Sequence, residues 1–162
     1  MQSSIEIRPA NANDVEHVLP LVQRLADTHR AWDPAKYPYK PAAADMYRSW
    51  LTSRTTDARS VFLVAIRDAR EIAFLVGTVE REIPIYTLAE VGFVHDLWVE
   101  PDYRNEGIAR QMVMLAIERF REMGMTQVRL DTAANNETAR SLFNTCGFRA
   151  SSVEMLLEIQ SG

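Results

Sequence analysis

Residues 99–112 read V-E-P-D-Y-R-N-E-G-I-A-R-Q-M, and the reading of this stretch decides the fold. It follows an apolar run, residues 91–98, with the length and composition of a buried strand. Pro101 and Asp102 break that strand. A helical pattern begins near Glu106, with apolar residues at Ile108, Met112, Leu115, Ala116, Ile117 and Phe120. The stretch is therefore a strand, a tight turn and the start of a helix. The first N–H groups of a helix lack intrahelical acceptors and carry partial positive charge, which makes a site for anions, phosphate above all. Gly107 has no side chain and Ala109 a small one, so a ligand can come close to the backbone. Arg104 and Arg110 add two positive charges. An ordinary strand–turn–helix unit with small residues for packing is the alternative. The pattern is not a Walker loop, because no Gly-Lys-Ser/Thr follows, and its one glycine is too few for a dinucleotide fingerprint.

Outward from this stretch, an alternating strand is expected over residues 5–9. A helix follows, with apolar residues at Val15, Val18, Leu19, Val22, Leu25 and Ala26. Asn13 and Glu16 suit a capping box at its start, and Pro20 predicts a kink or a later beginning. Residues 30–41 hold three prolines and three aromatics, which predicts an irregular loop. Its Trp32, Tyr37 and Tyr39 either wall a pocket or fold back on the core. A second helix is expected over residues 42–53, with Met46, Trp50 and Tyr47 inward. Strands at 61–67 and 72–81, joined by a turn at 68–71, form an antiparallel hairpin. The central strand spans 91–99 and the main helix 106–123, ended by Gly124. A strand at 127–131 comes next. A helix capped by Asn135 or Asn136 then runs to about Thr145 and is closed by Cys146 and Gly147. A return begins at 148–150, and a last strand is expected at 153–159. This order predicts one α/β domain over residues 1–162, an α+β mixed sheet, mostly antiparallel, flanked by helices.

Composition narrows the function classes. The chain is 47% hydrophobic and 25% charged, as in an ordinary globular protein. No apolar run approaches the roughly 20 residues of a membrane helix, so no membrane partner is expected. The first residues lack the basic and apolar regions of a secretory signal. One cysteine, Cys146, excludes an internal disulfide and suits a cytoplasmic location. A net charge of −4 argues against nucleic-acid binding. His17, His29 and His95 show no metal-ligand spacing, so no metal is expected.

Three segments, taken in order, resemble one known family. Arg104-Asn105-Glu106-Gly107-Ile108-Ala109 resembles the Arg/Gln-x-x-Gly-x-Gly/Ala motif of the GNAT superfamily, the acyl-CoA-dependent N-acyltransferases. Leu97-Trp98-Val99-Glu100-Pro101 stands where that family has its Leu-x-Val-x-Pro strand end. Asn136-Glu137-Thr138-Ala139, with Leu142-Phe143 and Cys146-Gly147-Phe148, resembles its later Asn-x-x-Ala…Leu-Tyr…Gly-Phe segment. The resemblance implies a GNAT-like fold that uses acetyl-CoA, or a related acyl-CoA, to acylate a primary amine on a small molecule or a protein. It implies that residues Arg104, Asn105, Glu106, Gly107, Ile108, Ala109 and Arg110 hold the pyrophosphate. Main-chain amides of Leu97, Trp98 and Val99 would meet the pantetheine and the thioester carbonyl, with Asn136 and Phe143 along the pantetheine arm.

Acyl transfer needs a neutral amine, so something must take its proton. His95 is the expected base: imidazole titrates near neutrality, and alternation predicts that His95, Leu97 and Val99 share one face. A structural histidine, or one bonded to Asp96, is the alternative. Glu82 and Glu90 are the other candidate bases, or anchors for a cationic acceptor. Phe143 departs from the family, which often has a tyrosine acid there. That departure leaves room for a second reading, a non-catalytic acyl-CoA-binding regulator. A nucleotide-binding β–α protein is a third. A homodimer, with residues 153–159 as a candidate edge, is the family-level expectation.

Overall fold

The computed structural model describes residues 4–40 and 42–160. Its elements in chain order are β1 (Glu6–Pro9), α1 (Asp14–Trp32), α2 (Ala43–Arg54), β2 (Ser60–Arg67), β3 (Arg70–Arg81) and β4 (Glu90–Val99). A 3-10 turn (Pro101–Tyr103), α3 (Ile108–Glu122), β5 (Val128–Leu130) and α4 (Glu137–Thr145) follow. The strands lie side by side in the order β1-β2-β3-β4-β5. All neighbours are antiparallel except β4 and β5. A parallel pair needs a long crossover, and the segment from the 3-10 turn through α3 supplies it.

Apolar side chains leave both faces of the sheet. On one face Leu63, Leu75 and Val94 pack against Met112, Val113 and Phe120 of α3. On the other, Phe62, Val64, Phe74 and Trp98 pack against Val18, Leu21 and Leu51 of α1 and α2. Both clusters are almost fully buried, so the two continuous apolar strands β2 and β3 form the middle of a three-layer structure. No helix of the described residues is long and apolar enough to cross a membrane.

Several expectations need correcting. The helix α1 runs unbroken through Pro20 and reaches Trp32, past the predicted loop start. Asn13 makes no side-chain cap. Asp14 does the anchoring instead, accepting from the Asn11 N–H at 2.7 Å and from Arg8 at 2.8 and 2.9 Å. The hairpin turn is tighter than predicted, because Asp68 and Ala69 both take left-handed φ, 51° and 57°, and two such residues suffice to reverse the chain. Met46 points out and is 60% exposed, whereas Tyr47 and Trp50 pack inward.

Residues 148–150 and 153–159 form no strand. Val153, Met155 and Ile159 are 81%, 87% and 89% exposed. A strand is held by a partner edge and a covered face, and this segment finds neither among the described residues.

Candidate acyl-transfer site

The site grows from an irregularity in β4. Its ladder with β3 pairs Val94 with Gly77 and Asp96 with Val76, so His95 is an extra residue with no partner. Such a bulge bends a strand and re-aims its side chains. The expected common face of His95, Leu97 and Val99 is therefore wrong. Leu97 and Val99 pack toward the α3 cluster. His95 turns instead to α2, where its ring meets Trp50 edge-on at 5.4 Å. Asp96 also faces α2, accepting a hydrogen bond from the Tyr47 hydroxyl.

Beyond the bulge β4 parts from β5, which pairs with it only from Gly92 to Val94. The Glu100 N–H donates to the Ile72 carbonyl at 2.9 Å. Bonded and non-bonded pairs alternate along an antiparallel ladder. Trp98 and Asp96 therefore direct their peptide groups at β3, and Leu97 and Val99 direct theirs into the gap. The Val99 carbonyl is taken there by Arg104 Nε at 2.9 Å. Backbone N–H groups of Leu97 and Val99 thus face an open notch, fixed in place by the sheet behind them. Buried Glu100 clamps the end of the strand, accepting from Arg24 at 2.6 Å and from the Trp98 indole at 3.2 Å.

The turn after β4 brings the helix start to this notch. Asn105 and Gly107 have φ of 65° and 79°. A Cβ built on Gly107 would meet only Gln111 Nε2, at 3.8 Å, so the space over the turn is open. The first α3 bond runs from the Gln111 N–H to the Gly107 carbonyl, at 3.0 Å. The preceding N–H groups are those a helix leaves free. Arg104 stacks on Trp98 at 4.7 Å, and Arg110 is exposed. Glu106, an acidic residue at an anion site, is neutralised by Arg67 at 2.7 Å. Ile108 is buried in the core, leaving its backbone as the part available to a ligand. Ala109 is half-buried. This cradle fits the diphosphate of a CoA ester in charge and in space.

Asn136 caps α4, its Oδ1 accepting from the Ala139 N–H at 3.1 Å. Phe143 is 9% exposed and lies in the α3-side core, its ring 5.8 Å from that of Phe148.

Around His95 the hydrogen bonds form a chain. Thr78 Oγ1 is 2.7 Å from His95 Nε2 and donates to Glu80 Oε1 at 2.5 Å. A hydroxyl has one proton. With that proton directed at Glu80, the hydroxyl accepts from His95, which puts the ring proton on Nε2. Nδ1 then keeps its lone pair. Thr78 and Glu80 join the candidate site through these bonds, and sequence reasoning missed them. The signal was present, because both are polar positions spaced by two within an apolar strand.

The candidate acids Glu82 and Glu90 are paired with Arg129 and Arg59, at 2.7 and 2.6 Å. Asp96 has no ion pair among the described residues, and burial pushes its carboxyl above the usual range. Tyr47 is raised well above an ordinary phenol by burial and by the neighbouring Asp96 carboxylate. Of the loop aromatics, Trp32 and Tyr37 pack on His29, with ring centres 5.6 and 4.9 Å away. Tyr39 lines an open pocket with Tyr47 and Trp50.

A family model described as Acetyltransferase (GNAT) family matches residues 23–148. The chain belongs to the GNAT family. An uncharacterised N-acetyltransferase of Methanocaldococcus jannaschii is 27% identical over 154 residues, 91% of this chain. This chain spans only 62% of that relative's length. Among solved structures, the BH1408 protein of Bacillus halodurans, as a tetramutant, superposes with a TM-score of 0.81 at 20% identity, covering 95% of this chain and 99% of that one. An aminoglycoside N-acetyltransferase in complex with CoA gives 0.73 at 17% identity, covering 99% and 98%. These two likenesses establish the GNAT fold.

Proposed function

We propose that this GNAT protein moves an acetyl group from acetyl-CoA to a primary amine by direct attack, with His95 as the base. The observation that carries the reading is the Glu80–Thr78–His95 chain, which leaves Nδ1 able to take a proton on the same strand whose Leu97 and Val99 amides face the notch. The cradle of Arg104, Asn105, Glu106, Gly107, Ile108, Ala109 and Arg110 holds the diphosphate. Backbone donors of Leu97 and Val99 orient the pantetheine and polarise the thioester carbonyl, an oxyanion-type stabilisation; Trp98, expected beside them, turns its peptide group to β3 and is no donor here. Asn136 and Phe143 border the arm.

The ammonium of the acceptor gives one proton to His95. The freed lone pair forms the C–N bond, the C–S bond breaks, and its electron pair leaves with sulfur. The second amine proton ends on the thiol. Phe143 has no hydroxyl to assist, and a thiol pKa of about 8.5 makes a separate acid unnecessary near neutral pH. The protein acts in the cytoplasm, as its lone cysteine suits, and pairs as a homodimer through residues 153–159, whose exposed apolar side chains call for a cover.

The test is release of free CoA thiol from acetyl-CoA against a panel of amines. Replacing a general base costs about 10²- to 10⁴-fold in rate. His95→Ala is expected to lose that much kcat while still binding acetyl-CoA, and an unchanged kcat would remove His95 from the mechanism.

A further inference from the structure

Glu106 is the misfit of the cradle. It is a carboxylate one residue before Gly107, at the start of the helix whose free N–H groups face the space for a diphosphate. An acidic side chain in such a place is drawn to those same N–H groups, and it repels a second anion. Left alone, it would be a competitor carried by the chain itself.

The fold directs it elsewhere. Strands β2 and β4 both pair antiparallel with β3, so they run the same way, and Ala65 is level with Val99 through Ala73. Arg67 ends β2 two residues further on, beside the turn that follows β4. Ala65 packs on the α3 side of the sheet and Ile66 on the other, so Arg67 returns to the side of α3. Its guanidinium meets Glu106 as a fork, Nη2 to Oε2 at 2.7 Å and Nη1 to Oε1 at 3.3 Å. Both carboxylate oxygens are taken, and among the described residues no N–H of the turn donates to either. The same guanidinium lies over the ring of Tyr103, 5.2 Å from its centre, and that ring is packed against the α3-side core. The Arg67 side chain is 13% exposed, and its buried Nε has no hydrogen-bond partner among the described residues. An orphaned buried donor is costly, so the guanidinium is placed for Glu106 and Tyr103 rather than for its own full set of bonds.

We propose that Arg67 is a positioning residue for the diphosphate cradle, which turns the Glu106 carboxylate away from the free N–H groups of α3 and cancels its charge. This inference rests on the acetyl-CoA reading of the Gly107 turn. It makes the pair unlike a structural strut, which is broken equally from either end. Without Arg67, Glu106 is an unpaired anion beside the diphosphate. Without Glu106, the cradle loses a negative charge and gains a free guanidinium.

The test is calorimetric titration of acetyl-CoA into the full chain as wild type, Arg67→Met, Glu106→Gln, the double variant and Gly107→Glu, with folding checked by circular dichroism. Arg67→Met is expected to weaken binding about tenfold, Glu106→Gln to tighten it about threefold, and the double variant to return to within about threefold of wild type. Arg67→Lys, which keeps the charge but not the fork, should fall between wild type and Arg67→Met. Weakening by Glu106→Gln as large as that by Arg67→Met, with no recovery in the double variant, makes the pair a strut and overturns the proposal. An Arg67→Met protein that binds like wild type overturns it as well. If Arg67→Met does not fold, the sign of the Glu106→Gln effect decides. Binding lost in Gly107→Glu but untouched by Arg67→Met leaves the cradle standing and removes this inference alone. No binding by wild type removes both.

Discussion

Thr78→Val removes a single oxygen from the interior of the proposed base assembly. Valine matches threonine in shape, and the position is 5% exposed on a strand, so packing is preserved. What disappears is the acceptor 2.7 Å from His95 Nε2 and the donor to Glu80. The ring keeps only the more distant Glu80 Oε1, 3.4 Å from Nε2, and the positive charge it gains on taking the amine proton loses its nearest bonded oxygen. Hydrogen bonds to charged groups contribute about 1.5–3 kcal/mol. The His95 side chain is 29% exposed, so water replaces part of the loss and the lower end applies. About 1.5–2 kcal/mol corresponds to a fall in kcat of roughly 10- to 30-fold. The assay is steady-state release of CoA thiol at saturating amine, with acetyl-CoA varied. The KM for acetyl-CoA should stay unchanged, because the cradle follows the end of β4 at Val99 and makes no bond to Thr78, whose side chain bonds Glu80 and His95. Thr78→Ser restores the hydroxyl and should recover most of the rate. A valine variant with wild-type kcat, or a serine variant no better than valine, would refute the role given to Thr78.

Two further outcomes concern the scaffold. A Cβ on Gly92 would lie 2.6 and 2.7 Å from Cγ and Cδ1 of the fully buried Phe120. Overpacking of this kind costs about 1–3 kcal/mol, so Gly92→Ala should lower Tm by about 3–10 °C for a chain of this size, read by circular dichroism. The Asp14 carboxyl is held below its usual range, chiefly by hydrogen bonds from Arg8 and against the effect of burial. A folded value below the unfolded one of about 3.9 means stabilisation that is present above that pH and lost as pH falls through the folded value. Asp14→Asn should therefore unfold at lower urea than wild type at pH 7, with the gap narrowing as pH falls below the unfolded value of about 3.9. A gap that persisted in acid would place the contribution of Asp14 elsewhere.

Legibility in the sequence followed the length of the pattern behind each feature. The apolar runs of β2, β3 and β4 and the 3.6-residue period of α3 gave strands and a helix close to their observed bounds, because buried elements must show their periodicity. The Gly107 turn was readable for a related reason: a left-handed φ and a free helix start favour glycine there. The facing of His95 was not readable. Strict alternation along β4 put it with Leu97 and Val99, and only the pairing with β3 reveals the extra residue that reverses it. The partners Thr78 and Glu80 sit 17 and 15 positions away and become neighbours through the same ladder. Glu82 and Glu90 looked like free acids until the fold brought Arg129 and Arg59 to them. The last strand failed for the opposite reason. Residues 153–159 have the composition of a strand, but composition does not supply an edge to pair with.

The central claim is that the turn at Gly107 holds the diphosphate of acetyl-CoA, and calorimetric titration of acetyl-CoA into wild type and Gly107→Glu tests it most directly. The open space above Gly107 means that a side chain there harms little but a ligand, apart from about 1–2 kcal/mol for the left-handed backbone. The account predicts saturable binding to wild type and none to a Gly107→Glu protein that circular dichroism shows to be folded. Equal binding by both, or no binding by wild type, would contradict it.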